Sequence, residues 1–184
     1  MSVVLSGGNI KAKIQAADNF NRANAANLGT NWSIPTGNNG IPIVNNQITQ
    51  SVFPGMQYYA ARSFPPDQFS QLQIISPSVV TDTSFGPAIR IVRGGQAYIT
   101  QCNTVQIRLY RNNAGAFTQL GADGPAVAAN DIIRLEVRGK FLTVMRNSTV
   151  IIGPIADELF VSGYPGIWTT APPATADNWT GGEL

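Results

Sequence analysis

The chain has 184 residues, of which 43% are hydrophobic and only 12% are charged, and its formal net charge is +2. With three lysines and no run of basic residues, it lacks the clustered cations that nucleic acids require, so a nucleic-acid partner is not expected. The absence of histidine excludes Ser-His-Asp and Cys-His catalysis, and the single cysteine, Cys102, excludes an intrachain disulfide and a cysteine-based zinc site. We expect Cys102 to be buried as a small apolar residue.

The first fifteen residues stand apart from the rest of the sequence. Two short β-like runs, Val3–Leu5 and Ile10–Ile14, are separated by a Ser-Gly-Gly-Asn turn. We interpret Met1–Gln15 as an N-terminal arm or an edge strand and residues 16–184 as the main domain. An arm that pairs with a neighbouring subunit would combine both interpretations by strand addition. The region lacks the features of a signal peptide and no stretch reaches membrane-spanning length, so we expect synthesis in the cytoplasm and no membrane partner.

Most of the chain has the sequence pattern of an all-β protein. Short alternating or β-branched runs are separated by Gly, Pro, Asn and Asp. The predicted strands are Asn46–Phe53, Met56–Phe64, Ser70–Val80, Gly86–Arg93, Ala97–Cys102, Thr104–Arg111, Phe117–Leu120, Asp131–Arg138, Phe141–Arg146, Thr149–Pro154 and Tyr164–Thr169. The clearest alternation places Ile133, Leu135 and Val137 on one face of a strand. One helical turn is expected at Pro154–Phe160, and the whole pattern indicates a sandwich or jelly roll.

Several short motifs follow one another in a characteristic order. They are Asp18-Asn19-Phe20-Asn21-Arg22-Ala23, Leu28-Gly29-Thr30-Asn31-Trp32, Leu109-Tyr110-Arg111, Asn130-Asp131-Ile132-Ile133-Arg134-Leu135-Glu136-Val137-Arg138-Gly139 and Ala176-Asp177-Asn178-Trp179. The ordered set resembles the laminin-G-like, concanavalin A-like jelly-roll domains of bacterial and phage proteins, over nearly the whole chain. The resemblance implies an all-β, two-sheet antiparallel jelly-roll sandwich whose first and last strands are adjacent. That adjacency would explain why Ala-Asp-Asn followed by an aromatic residue stands near both ends.

Polar and aromatic side chains on the predicted strands form a candidate face for a ligand or a partner. The set is Arg90, Tyr98, Arg108, Tyr110, Arg134 and Glu136. Planar polar groups and aromatic rings are what sugar sites use, but the same residues would also form an ordinary solvated face. The sequence leaves these two interpretations open. Trp32, Trp168 and Trp179 are expected in the core.

Catalysis is not expected from this sequence. Glycoside hydrolysis needs a pair of facing carboxylates, and the E-x-D-x-x-E strand common in hydrolytic relatives of this fold is absent. Glu136 lies in a predicted strand between Arg134 and Arg138, which favours ion pairing over a catalytic role.

Calcium is the one cofactor that the resemblance suggests, because loop Asp and Asn oxygens often hold it in this superfamily. Asp18 and Asp177, with Asn19 and Asn178 beside them, would converge if the end strands are adjacent. Alternatively, these side chains cap turns by bonding to nearby backbone, which is the interpretation we favour. The prediction is therefore no cofactor, with calcium at Asp18 and Asp177 as the alternative.

Two classes of function remain after these exclusions. The main prediction is a non-enzymatic structural or interaction module, a virion surface component such as a capsid decoration or tail-associated protein that self-associates or docks on a particle. It depends on the low surface charge, the lack of catalytic groups and the arm. The alternative is a glycan-binding, lectin-like adhesion module, and a glycoside hydrolase ranks third. The expected partners are proteins, copies of the chain, or a cell-surface glycan.

Overall fold

The computed structural model describes residues 12–49, 54–80, 85–170 and 174–184, and all regular structure in these ranges is β-strand. The strands are β1 (Gln15–Asp18), β2 (Trp32–Ser33), β3 (Ile43–Val44), β4 (Gln47–Thr49), β5 (Gly55–Tyr59), β6 (Gln68–Ser76), β7 (Phe85–Ile91), β8 (Ala97–Cys102), β9 (Ile107–Asn113), β10 (Ala116–Gln119), β11 (Ile132–Arg138), β12 (Phe141–Arg146), β13 (Thr149–Ala156), β14 (Tyr164–Thr169) and β15 (Thr175–Glu183). Within the described ranges there is no helix that could cross a membrane.

The strands form two antiparallel sheets. The eight-stranded sheet has the order β13-β12-β11-β6-β15-β4-β3, with β1 also paired to β15. The seven-stranded sheet has the order β10-β9-β8-β7-β14-β5-β2. Hairpins such as β8–β9 and β11–β12 make neighbours of consecutive strands, while β6–β15 and β7–β14 join distant parts of the chain. This arrangement confirms the predicted all-β, two-sheet antiparallel sandwich.

The two ends of the domain pair with each other. Strands β1 and β15 are antiparallel, with Asp18 opposite Trp179, which confirms the predicted adjacency of the first and last strands. Phe20 and Trp179 are the aromatic residues of the two similar motifs, and both are fully buried. Their rings lie 6.3 Å and 4.6 Å from the ring of Trp32. The first and last strands are therefore neighbours in one sheet, and the aromatic residues of the two motifs belong to one cluster in the core.

The main core lies between the two sheets. On β11, Ile133, Leu135 and Val137 are fully buried, as their alternation predicts. Each such side chain contributes roughly 1.5–3 kcal/mol relative to leaving it in water. Trp179 and Cys102 also belong to this core, as expected. Burial raises the pKa of the Cys102 thiol to about 12, so this residue behaves as an apolar group.

The predicted helical turn at Pro154–Phe160 is wrong. Strand β13 continues to Ala156, which pairs with Phe141 of β12, and residues 157–163 contain neither helix nor strand. The hydrogen bonds to β12 hold this part of the chain extended. The segment that follows is tied to the seven-stranded sheet, because the hydroxyl of Tyr98 donates a hydrogen bond to the Asp157 carboxylate at 2.6 Å.

Two predictions extend beyond the described residues. Residues 1–11 of the predicted arm Met1–Gln15 lie outside them, so the domain boundary stays a prediction. Nearer the domain, the backbone N–H of Glu183 donates to the carbonyl of Ile14 at 2.8 Å. The predicted strand Asn46–Phe53 appears as the shorter β4, and residues 50–53 also lie outside the described ranges.

Candidate functional site

The seven-stranded sheet carries a second buried apolar cluster, separate from the core between the sheets. This outer cluster consists of Met56, Tyr58, Ala88, Ile91, Ala97, Ile99 and Trp168. Ile167 of β14 packs in the main core, and successive side chains of a strand point to opposite faces. Trp168 therefore lies on the outer face of the sandwich. The face of an antiparallel sheet that contacts water is usually polar. An apolar cluster on this face therefore requires another part of the protein to cover it.

The β9–β10 hairpin covers Trp168 in this cluster. Strands β10 and β14 are four places apart in the sheet, which corresponds to roughly 19 Å at the usual spacing between strands. Nevertheless, the rings of Phe117 on β10 and Trp168 on β14 are only 5.6 Å apart. The hairpin must therefore curl over the outer face of the sheet and bring Phe117 above Trp168.

A cavity of about 300 Å³ lies beside these two rings. Its walls come from three turns, and the lining residues there are residues 36–38, residues 94–95, and Asn112, Ala114 and Gly115. Pro54, Phe117 and Trp168 complete the lining. Ligand pockets have volumes of roughly 300–1,000 Å³, so this cavity is large enough for a small ligand.

The turns that form the cavity hold one another in place. The Asn112 side-chain N–H donates to the carbonyl of Gly95 at 3.3 Å, while its Oδ1 accepts from the N–H of Gly115 at 2.8 Å. The N–H of Thr36 donates to the carbonyl of Arg93 at 2.8 Å. Gly95 has a φ of +79°, and a Cβ there would lie 3.1 Å from the Thr36 carbonyl oxygen. This close approach of two turns requires glycine.

The indole of Trp168 has an unusual hydrogen-bonding state. Its Nε1 is the one buried side-chain polar atom, among the described residues, that has no hydrogen-bond partner. The other two indoles are paired: Nε1 of Trp32 donates to Asp18 at 2.8 Å and Nε1 of Trp179 donates to Ser70 at 2.9 Å. A buried donor without a partner costs about 1–3 kcal/mol, so such an atom calls for an explanation.

Two of the predicted face residues lie on the same outer face as the cavity. Tyr110 packs against the outer cluster, and its ring lies 6.1 Å from that of Phe117. Arg108 is two residues away on the same strand, and its Nε is 3.2 Å from the carboxylate of Asp123. Neither residue lines the cavity, although Tyr110 supports the Phe117 wall.

Arg134 and Glu136 lie on the eight-stranded sheet, so the residues of the predicted ligand face do not form one surface. They form an ion pair on β11, with Arg134 Nε 2.5 Å from the Glu136 carboxylate. The Arg134 guanidinium also lies 3.6 Å from the ring centroid of Phe69. Arg138 is 3.8 Å from the same carboxylate, which confirms the predicted ion pairing of Glu136 with its two flanking arginines.

The remaining two predicted face residues are buried. Arg90 is only 2% exposed, and its guanidinium donates hydrogen bonds to the carbonyls of Pro66, Phe160 and Gly139. Tyr98 is fully buried, and its pKa is raised to about 12 by burial and then by the hydrogen bond to Asp157. Both residues hold loops onto the sandwich. Tyr98 is therefore not placed to meet a ligand at the surface, whereas Arg90 also lines a cavity of about 590 Å³ together with Gly139 and Lys140.

The turns that line the cavity were not among the residues predicted for the site. A usable signal is present in the sequence, since Gly94-Gly95 and Asn112-Asn113-Ala114-Gly115 have the composition of turns. These connections close two successive hairpins, β7–β8 and β9–β10, and therefore lie at the same end of the sheet. Two glycine-rich turns at one end of a sheet indicate a place where backbone can surround a ligand.

The carboxylate of Asp18 does not fit a calcium site. Oδ1 accepts hydrogen bonds from the Phe20 N–H at 2.9 Å and from Arg22 at 2.7 Å. Oδ2 accepts from Arg22 at 2.9 Å and from the Trp32 indole at 2.8 Å. A guanidinium already bound to both oxygens supplies the positive charge that a metal ion would bring.

Asp177, the second predicted calcium ligand, lies close enough to Asp18 for their charges to interact. Its Oδ1 accepts a hydrogen bond from the N–H of Asn178 at 2.7 Å, as the turn-capping interpretation predicts. Burial raises the pKa of Asp177, and the negative charge of Asp18 raises it further. No group of three or more His, Cys, Asp or Glu residues that could hold a metal occurs in the part of the chain that the structure describes.

The Asp18 interactions predict a dependence of stability on pH. Burial alone would raise the pKa of Asp18, but hydrogen bonds from Arg22, Phe20 and Trp32 lower it overall. The ionised form therefore stabilises the fold above the unfolded pKa of about 3.9, and this contribution is lost as pH falls through the lower folded value. We expect Asp18→Asn to lower the free energy of unfolding by about 1 kcal/mol at pH 7 and by less at pH 3, where the contribution of the ionised form has begun to be lost.

Urea unfolding at both pH values measures this effect. Asp123→Asn is the matched control, because Asp123 is an exposed carboxylate that also pairs with an arginine. The control should match wild type within about 0.5 kcal/mol at both pH values. Equal losses at pH 7 and pH 3 in Asp18→Asn would contradict the prediction.

Comparison with known proteins identifies the fold. No protein-family model and no curated protein matches the chain. Among solved structures, it is similar to the carbohydrate binding module CBM66 from Bacillus subtilis, with a TM-score of 0.59 and 15% identity over 81% of this chain and 92% of that chain. It is also similar to the VIP36 exoplasmic/lumenal domain in its Ca²⁺/Man-bound form, with a TM-score of 0.59 and 11% identity over 84% and 83% of the two chains.

A third similar structure is the GH43 BlXynB protein from Bacillus licheniformis. The TM-score is 0.62 at 11% identity, and the match covers 91% of this chain but only 39% of that chain. At these identities the similarity shows the fold alone, which is a two-sheet jelly-roll sandwich. The resemblance to the laminin-G-like domains of bacterial and phage proteins stays a prediction from the sequence.

Proposed function

We propose that the protein is a glycan-binding module and that its site is the cavity beneath the β9–β10 hairpin. The observation that carries the proposal is a cavity bounded by Phe117 and Trp168 in which none of the described lining residues is charged. A sugar ring has an apolar C–H face and a rim of hydroxyl groups. It therefore fits a cavity that combines aromatic walls with neutral hydrogen-bonding groups.

Two further features support this proposal over the alternatives. The similar structures include a carbohydrate binding module and a domain in a Ca²⁺/Man-bound form. In addition, no Asp or Glu is among the described residues that line the cavity, whereas glycoside hydrolysis needs two carboxylates at the bond to be cleaved. The proposal is therefore binding without cleavage. The proposed site does not include Asp18, whose carboxylate is paired with Arg22, and calcium stays an alternative prediction.

The virion role predicted from the sequence has no support among these similar structures and stays a prediction. It is compatible with glycan binding, since a particle protein can also attach to a cell surface. Self-association is its distinguishing property, and the mass of the protein in solution, with and without residues 1–15, tests it separately.

Replacing Phe117 tests the location of the site. We expect wild-type protein to bind glycans on an array, and Phe117→Ala to lower the affinity for the strongest of them at least 10-fold, or about 1.4 kcal/mol. The reason is that Phe117 forms one wall of the cavity and packs on Trp168. Isothermal titration calorimetry of the purified proteins measures the change.

Phe141→Ala is the matched control. Phe141 is 48% exposed, close to the 41% of Phe117, but it lies on β12 of the opposite sheet. It should bind the glycan as wild type does. The proposed function is wrong if wild-type protein binds no glycan at all, and the proposed location is wrong if the two variants bind equally well.

A further inference from the structure

Asn112 is a buried polar residue in a hairpin whose other end is exposed. It is 3% exposed and lines the cavity, whereas residues 113–119, which include all of β10, are exposed. Tyr110, two residues earlier on β9, packs against the outer cluster, so Asn112 lies on the same outer face. Its amide is therefore buried outside the core between the two sheets.

The two halves of this amide bond to two different turns. Nδ2 donates to the carbonyl of Gly95 in the β7–β8 turn at 3.3 Å, and Oδ1 accepts from the N–H of Gly115 in the β9–β10 turn at 2.8 Å. A backbone carbonyl only accepts and a backbone N–H only donates. A side chain that bridges these two turns must therefore both donate and accept, as an uncharged amide does.

The bridge lies beside the aromatic wall of the cavity. Asn112 is directly opposite Phe117 in the β9–β10 pair, and the Phe117 ring is 5.6 Å from that of Trp168. Strand β10 is at the edge of the seven-stranded sheet and pairs with β9. The position of the Phe117 ring over the sheet therefore depends on what ties the β9–β10 hairpin to the neighbouring turn.

We infer that Asn112 is the positioning residue of the glycan site. By bridging the two turns it holds Phe117 above Trp168, and loss of the bridge lowers the glycan affinity of a protein that stays folded. The inference rests on the proposed function and adds to it the residue that sets the geometry of the site.

Asn112→Asp tests the bridge with almost no change of shape. The ionised carboxylate still accepts from the Gly115 N–H but cannot donate to the Gly95 carbonyl, whereas the protonated acid can donate again. An ordinary Asp has a pKa of about 3.9, and a carbonyl oxygen beside the carboxylate raises it. The bridge should therefore be broken at pH 7 and largely restored at pH 3.5.

Two further variants separate the bridge from the effect of charge. Asn112→Ala removes both hydrogen bonds without adding a charge, and Asn113→Asp adds the same charge at the next residue, which is exposed. None of the described lining residues titrates in this range. The charged residues nearest to the two turns in sequence are Arg93 and Arg111, which keep their charge, and Arg111 is paired with Asp157.

Isothermal titration calorimetry at both pH values, with the glycan that binds wild type most strongly on an array, measures the affinities, and circular dichroism checks folding. We expect Asn112→Asp to bind about 10-fold more weakly than wild type at pH 7 and within about 3-fold of it at pH 3.5. Asn112→Ala should bind about 10-fold more weakly at both pH values, and Asn113→Asp should bind as wild type does.

Three results overturn the inference and leave the proposed function intact. They are unfolding of Asn112→Ala, wild-type affinity in Asn112→Ala, and an equal loss of affinity at both pH values in Asn112→Asp. If Asn112→Asp does not fold at pH 7, Asn112→Ala alone decides. A wild-type protein that binds no glycan on the array removes the proposed function, and the inference with it.

Discussion

Arg90→Met should lower the free energy of unfolding by about 3 kcal/mol and leave the glycan affinity of the folded protein unchanged. The methionine side chain can follow the path of the arginine stem but donates no hydrogen bonds. The carbonyls of Pro66, Phe160 and Gly139 would each lose a charged donor. Hydrogen bonds to charged groups contribute about 1.5–3 kcal/mol each, and the relief of a buried charge offsets part of the loss.

Arg93→Met provides the control for this prediction. Arg93 follows the same strand, but its side chain is exposed. Urea unfolding should therefore place the control within about 0.5 kcal/mol of wild type. If Arg90→Met retains full stability but loses glycan binding, Arg90 belongs to the ligand face after all, as the sequence first indicated.

Gly86→Ala should lower the melting temperature by roughly 6–12 °C, which corresponds to a loss of about 3 kcal/mol in a domain of this size. A Cβ at Gly86 would lie 2.2 Å from the carbonyl oxygen of Thr100 on the neighbouring strand. That atom is backbone in the middle of a sheet, so strands β7 and β8 would have to separate. Gly86 is also opposite Trp168 in the β7–β14 pair, so the disturbance should reach the cavity and weaken glycan binding.

Gly94→Ala is the corresponding control for stability, and differential scanning calorimetry compares the two variants. Its Cβ would come nearest, at 2.9 Å, to the end of the flexible Gln96 side chain, which can move away. We expect its melting temperature to stay within about 4 °C of wild type. Equal melting temperatures for the two variants would mean that β7 and β8 can separate without cost, contrary to the prediction.

The fold could be predicted from the sequence because the patterns that indicate it are either local or follow one another in a fixed order along the chain. The alternation of Ile133, Leu135 and Val137 predicted a strand with one buried face, and these residues are buried on β11. The motifs at both ends predicted the pairing of β1 with β15. The helical turn at Pro154–Phe160 failed because pairing with β12, which is not local, decided the conformation there.

Arg90 shows why the residues of the predicted ligand face do not lie together in the structure. Simple alternation along β7 groups Arg90 with Ala88, which lies in the outer cluster. However, Arg90 has a φ of +51°, and the register between β7 and β14 shifts between Tyr164 and Gly166. This bulge reverses the alternation, so Ile91 joins the outer cluster and Arg90 turns into the protein. A period of two residues cannot reveal such an irregularity.

The cavity itself depends on tertiary structure that no local pattern encodes. Tyr110 was predicted on a ligand face, and it lies close to the cavity. In contrast, the contact between Phe117 and Trp168 exists only because the β9–β10 hairpin curls across four strands. Trp168 was predicted in the core as an ordinary buried residue, and only the structure shows that its N–H is left without a partner.

The pairing of β1 with β15 also has a consequence for how the chain folds. Ile14 and Glu183, which hydrogen-bond at the end of this pair, are 169 residues apart in sequence. Contacts between such distant residues form late, and all-β folds rich in them take milliseconds to seconds to form. Until β1 docks, part of β15 remains an open edge that can pair with another chain. Refolding at high protein concentration should therefore favour exchange of β1 between copies.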